Sequence, residues 1–269
     1  MVKKLYKHEF TAWLRIIAFF WAATILTAII NRVVQLFEND SVYYNILFAF
    51  SLVAFFVGLL CSAAAPLIFG IVRFYKNFFT GEGYLTFTLP ATKEQLLWVK
   101  VSSAVCFSLL SGLVCVLSGW IVLSGEVFTE ICKAAAYLLR DITGKELAHL
   151  IGWVIEMALL LLISDVCNHL FFYTCICIGQ TFRKNRILAA VGVYFAYYII
   201  TQILSTIFSV TFALLAESGV LDGIGKWIGD HAELSIHLGL SGSVVLSLGM
   251  GAVYWLVCRW VLRKKLNLE

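Results

Sequence analysis

The sequence predicts an all-α polytopic membrane protein with six transmembrane helices. Three observations predict it. Hydrophobic residues make up 61% of the 269 residues and charged residues only 13%, about half the charge of an ordinary soluble domain. The mean hydropathy is +0.92, and so much apolar surface has to be solvated by lipid or packed inside a bundle. Finally, the apolar residues fall into long runs, each near or above the roughly 20 residues that cross a bilayer as helix.

The runs lie at Trp13–Ile30, Tyr43–Ile71, Trp98–Leu123, Leu150–Gly179, Ile187–Ala216 and Leu240–Val261. Several exceed the bilayer thickness and are expected to tilt or to project from it as helix. Lys3, Lys4 and Lys7 make a basic start, but no small-residue cleavage pattern follows, so the first run reads as a span and not as a signal peptide. Trp13, Trp98, Trp120 and Trp260 fall near span ends, where an indole belongs at the membrane interface.

Basic residues set the expected orientation. Numbering the connections alternately puts fifteen of the 20 Lys and Arg residues on one side, in clusters around Lys3–Arg15, Arg73–Lys100, Arg183–Arg186 and Arg259–Lys265. The other side holds Arg32, Lys133, Arg140, Lys145 and Lys226, together with acidic residues such as Glu38, Glu126 and Asp230. This predicts a multi-pass protein with both termini cytoplasmic. The net charge of +4 reflects that asymmetry and does not point to nucleic acid. Without an internal repeat, low-complexity tract or flexible linker, residues 1–269 read as one transmembrane domain.

Three further segments are neither plain spans nor plain loops. Val2–Arg15 places Tyr6, Phe10 and Trp13 at helical spacing beside Lys3 and Lys7, which predicts an interfacial amphipathic helix. Glu126–Ile142 places Val127, Ile131, Ala135, Leu138 and Ile142 on one face and predicts a short outer helix. Glu217–Leu238 mixes four glycines with Val220, Leu221, Ile224, Trp227 and Ile228; a re-entrant cap and a folded outer loop both suit it.

The connection Arg73–Lys100, RFYKNFFTGEGYLTFTLPATKEQLLWVK, is rich in aromatic and aliphatic residues for a loop. Such a surface marks either a docking site or contact with the membrane interface. Gly81 and Gly83 permit a tight turn. Pro90 biases Leu89 toward an extended backbone. Thr92 and Gln95 have the spacing of a capping box that starts the next helix.

The pattern Phe78-Phe79-x-Gly81-Glu82-Gly83-Tyr84-Leu85-Thr86-x-Thr88-Leu89-Pro90, followed by Gln95-Leu96-Leu97 and Lys100, resembles the loop between spans two and three of ATP-binding-cassette permeases of the ABC-2 exporter family, Gram-positive bacterial type. Leu5-Tyr6-Lys7-His8-Glu9-Phe10 with Arg15, and Lys264-Lys265-Leu266-Asn267-Leu268, are similar to that family's N-terminal helix and C-terminal tail. The resemblance implies a permease subunit of the bacterial plasma membrane that pairs with a second permease subunit, the same or different, and with two ATPase subunits. It implies a cytoplasmic coupling helix between spans 2 and 3, with Phe79, Glu82, Tyr84, Leu85, Thr88 and Pro90 as the ATPase-coupling residues. It also implies no catalysis and no cofactor in this chain, ATP and magnesium being bound by the partner. In agreement with that division of labour, the sequence has no G-x-x-x-x-G-K-[ST] phosphate loop.

Polar residues inside spans are a second kind of candidate, because charge is costly there. Glu156, Asp165, Asn168 and His169 form a candidate intramembrane polar patch in the fourth span. Asp165 and His169 are one helical turn apart, whereas Glu156 lies nine positions from Asp165, half a turn out of phase. The patch suits a substrate path, a proton relay or an interhelical hydrogen-bond network. The alternative function is a secondary transporter or channel-like protein without an ATPase partner, which predicts inverted repeats and broken helices. Pro66 is the only proline within a span. An intramembrane enzyme lacks the expected motifs, and the cysteines lack metal-ligand spacing.

Overall fold

The computed structural model describes residues 2–37, 39, 41–88, 90–123, 129–137, 147–182 and 185–264. Among them the secondary structure is helical: α1 (Val2–Leu36), α2 (Val42–Phe79), α3 (Gly81–Thr88), α4 (Lys93–Val122), α5 (Leu147–Gly179), α6 (Arg186–Glu217), α7 (Asp222–Asp230) and α8 (Ala232–Lys264), with a further helical stretch over residues 129–137. Six of these, all but α3, α7 and the 129–137 stretch, are long and apolar enough to cross a membrane, as a multi-pass membrane protein requires. The helices group into two compact units, residues 1–137 and 138–269.

In the first unit the amphipathic stretch Val2–Arg15 is not a separate interfacial helix. It forms the opening turns of a continuous 35-residue α1, in which no glycine or proline interrupts the hydrogen-bond ladder. At 1.5 Å per residue α1 is about 52 Å long, far more than the roughly 30 Å of hydrocarbon. Its inner face packs on α2 and α4. Trp13, read from sequence as an interfacial residue, is buried: its ring stacks on Phe107 at 5.3 Å and meets Phe69 edge-on at 4.9 Å. Ile17, Ala65 and Ala104 complete this cluster. Trp98, Trp120 and Trp260 are exposed.

Close packing and polar links hold such helices together, because lipid supplies little hydrophobic drive between them. The Thr24 hydroxyl donates to the Gly58 carbonyl at 2.9 Å, and a Cβ at Gly58 would approach Thr27 Oγ1 to 3.1 Å, so α1 and α2 pack closely at this glycine. Trp21 Nε1 donates to Ser111 Oγ at 2.7 Å, and Asn31 Nδ2 to Ser51 Oγ at 2.9 Å.

The connection read from sequence as Arg73–Lys100 is mostly helical: residues 73–79 continue α2, Gly81 and Gly83 open α3 instead of a tight turn, and residues 93–100 begin α4, while the predicted capping box forms. Thr92 Oγ1 accepts from the Gln95 amide while the Gln95 side chain accepts from the Thr92 amide, a complete capping box. Leu89 lies outside the described residues.

In the second unit α5 packs on both α6 and α8. Gly179 lets α5 touch the backbone of α6, since a Cβ there would meet Ala190 N at 2.6 Å. Thr174 Oγ1 donates to the Tyr254 carbonyl at 3.1 Å, and the Tyr197 and Tyr254 hydroxyls are 2.7 Å apart. Glu217–Leu238 is resolved into the end of α6, a turn, the amphipathic α7 and the first two turns of α8. Of the predicted outer helix, Val127, Leu138 and Ile142 lie outside the described residues, as does the tail from Lys265; Ile131 is exposed.

Candidate functional site

By propensity α3 is a poor helix. It contains Gly81 and Gly83 and two threonines in eight residues, and so short a segment is marginal in isolation. Tertiary contacts keep it folded. Thr80 separates it from α2 and accepts from the Gly83 amide at 2.7 Å. Gly83 is buried, and Phe87 meets Phe78 of α2 edge-on at 5.6 Å. Lys93 Nζ lies 5.4 Å from the centre of the Phe87 ring.

One side of α3 is tied to a buried charge network made by three other segments. Glu9 of α1 sits at its centre and is almost fully buried. Arg73 Nε of α2 donates to Glu9 Oε2 at 2.6 Å, and Lys100 Nζ of α4 donates to Glu9 Oε1 at 2.5 Å. Lys100 also donates to Asn77 Oδ1 at 2.8 Å, and Asn77 Nδ2 donates to Glu82 Oε2 at 3.0 Å. The chain of contacts therefore runs Arg73–Glu9–Lys100–Asn77–Glu82, from the cores of three long helices into the first turn of α3. Arg73 and Lys100 share the Glu9 carboxylate and Asn77 accepts a further hydrogen bond from Lys100, which is what permits charge at this depth. An open cleft of about 700 Å³ lies beside it, lined by Glu9, Arg73, Asn77, Glu82, Leu85 and Lys100 among others.

The side of α3 away from Gly83 and Phe87 is exposed. Tyr84 and Leu85 are 51% and 74% exposed, and Thr88 joins them on the same face at i, i+4; Pro90, just beyond α3, is also exposed. Glu82 is exposed too, but its carboxylate is engaged by Asn77. Phe79 behaves differently from the others proposed for coupling. It is buried, with its ring 5.9 Å from Phe74 and 6.5 Å from Tyr75, and so packs within the end of α2.

The intramembrane polar residues separate into two places in the second unit. His169 is buried and its Nε2 lies 3.7 Å from Asp165 Oδ1 on the same helix, whereas Asn168 is exposed. Glu156 instead meets α8: His237 Nδ1 lies 2.8 Å from both of its carboxylate oxygens, and Trp153 Nε1 donates to His237 Nε2 at 2.7 Å. An indole N–H can only donate. His237 Nε2 therefore accepts, and Nδ1 carries the proton it donates to Glu156.

Sequence reasoning did not single out Asn77, Trp153 or His237; it met Glu9 only within the resemblance, and Lys100 there and as one of the basic residues that set the orientation. A lysine seven residues into the long helix that opens at Lys93 was the available signal for Lys100; nothing in the sequence marked His237 as Glu156's partner. Among the described residues no group of three His, Cys, Asp or Glu side chains converges to hold a metal. Comparison of the chain with protein-family models, with characterised proteins and with solved structures finds no match.

Proposed function

We propose that this chain is the membrane-spanning permease subunit of an ATP-driven exporter, and that α3 is the element on which a partner ATPase acts. The observation that carries the reading is that α3 is both anchored and exposed. Its first turn is fastened by Glu82 and Asn77 to the Glu9–Arg73–Lys100 network, while the adjoining face presents Tyr84 and Leu85 to solvent. A force applied to the exposed side reaches three long helices through short, charge-assisted contacts rather than through a flexible loop. Large side chains on an exposed face are also what a docking groove would bind. In this reading two such subunits and two ATPase subunits form the transporter in a bacterial plasma membrane, with ATP and magnesium held by the partner and α3 on the cytoplasmic side, as the distribution of basic residues predicts.

The Glu156–His237 pair between two spanning helices favours a second reading, a secondary transporter, because ionisable pairs inside spans serve proton and ion relays. A photo-crosslinker in place of Leu85 in the full chain, in native membranes, separates the two. The exporter reading expects a crosslink to a nucleotide-binding protein, and ATP hydrolysis that co-purifies with the chain. Transport that persists in vesicles without ATP and follows an ion gradient overturns it.

A further inference from the structure

The inner face of α1 is occupied by Glu9, Trp13 and Ile17. Its outward face changes character along a single line. At about 100° per residue, Lys4, His8, Thr11, Arg15, Ala18, Ala22 and Leu26 fall on one stripe, with Lys7 and Phe19 at its edges. The first four turns of that stripe are cationic. Lys4, Lys7, His8 and Arg15 are exposed around a shallow pocket of about 360 Å³ whose floor includes Thr11 and Ala12. From Ala18 onward the same stripe is hydrocarbon, with Phe19 73% and Leu26 58% exposed.

We propose that this face binds an anionic phospholipid, its phosphate on Lys7, His8 and Arg15 and its acyl chains along Ala18, Phe19, Ala22 and Leu26. Three features select that occupant. Lys7 and Arg15 face away from Glu9, whose carboxylate is committed to Arg73 and Lys100, while Lys4 and His8 also line the cleft that holds Glu9 and Glu82, so Lys7 and Arg15 are the cations turned toward an outside anion. The change from charge to hydrocarbon falls between Arg15 and Phe19, about 6 Å along the helix, which matches the boundary of a bilayer core with its headgroup layer. A soluble acidic partner would match only the basic half of the stripe, and a neutral lipid only the apolar half. Basic residues beside a span attract anionic headgroups over about a Debye length. The proposal does not depend on an ATPase partner.

The test is native mass spectrometry of the full chain released from vesicles of equimolar phosphatidylglycerol and phosphatidylcholine. The wild type should retain phosphatidylglycerol preferentially. Lys4→Gln/Lys7→Gln/Arg15→Gln should lower that preference by at least about fivefold, the effect of losing one cation at an anionic surface. Glutamine keeps helix propensity near that of Lys and Arg; if the triple variant does not fold, Arg15→Gln alone should lower the preference in the same direction. Lys4→Arg/Lys7→Arg should retain it, and so should Lys226→Gln on α7. Equal retention of the two lipids by the wild type, or an unchanged ratio in the Gln variants, overturns the proposal. So does efficient disulfide crosslinking of Arg15→Cys to a second copy in the membrane, which would show the face covered by protein.

Discussion

Lys100 Nζ and Glu9 Oε1, ninety-one positions apart in sequence, are 2.5 Å apart in the structure. Both side chains are about 6% exposed, so neither charge can be left to water if its partner is removed. Glu9→Ala leaves Lys100 and Arg73 facing each other and should destabilise the protein by about 3–5 kcal/mol. Glu9→Met/Lys100→Met removes both charges and should be less damaging than the sum of the two single changes. Thermal unfolding of the purified protein in detergent checks this; strict additivity would mean the pair is not coupled.

Asn77 hydrogen-bonds both Lys100 of that pair and Glu82. Asn77→Ala removes two hydrogen bonds, one of them exposed, each worth about 0.5–1.5 kcal/mol. The loss should appear locally. Amide hydrogen exchange over residues 81–88 should accelerate several-fold while the exchange of α1 changes little. Glu82→Ala should give a smaller acceleration of the same segment, because only one exposed contact is lost.

Tyr84 and Leu85 are exposed and Phe79 is not, so their truncations should separate. Tyr84→Ala/Leu85→Ala should leave the melting temperature near that of the wild type and, under the exporter reading, uncouple ATP hydrolysis from transport. Phe79→Ala should lower stability by about 3–5 kcal/mol, the range for deleting a buried aromatic ring. If the double variant couples like the wild type, α3 is not the ATPase contact.

His237 is held as the Nδ1–H tautomer by Trp153 on one side and Glu156 on the other. Nitrogen-15 NMR of labelled histidine should show His237 Nε2 unprotonated, and Trp153→Phe should release that constraint. Glu156→Gln retains an acceptor for Nδ1–H and should be mild. Glu156→Leu strands the donor and should cost about 1–3 kcal/mol in thermal stability.

The charge asymmetry makes the orientation testable. On a background lacking the native cysteines, Arg186→Cys should be labelled by a membrane-impermeant thiol reagent only from the cytoplasmic side, and Asp222→Cys only from outside. Labelling of Asp222→Cys from the cytoplasm would reverse the expected topology.

The sequence by itself determined that the chain is helical and apolar and where the six long helices lie, because length and hydropathy are local properties that any bilayer-spanning segment must show. It also determined the start of α4, since Thr92 and Gln95 satisfy each other's amides without outside help. Composition did not determine the continuity of α1: Val2–Arg15 is amphipathic enough to lie on a membrane, and only the packing of Glu9 and Trp13 against α2 and α4 turns it into the base of a long helix. Tertiary structure alone decided which polar residues meet. Asp165 and His169 are one turn apart on one helix, so sequence could pair them. Glu156 and His237 are 81 positions apart, and Glu9, Arg73 and Lys100 come from three different helices. Such pairs are set by the crossing of helices, which depends on small residues such as Gly58 and Gly179 and on side chains that fill the gaps between them, and no periodicity along the chain encodes that.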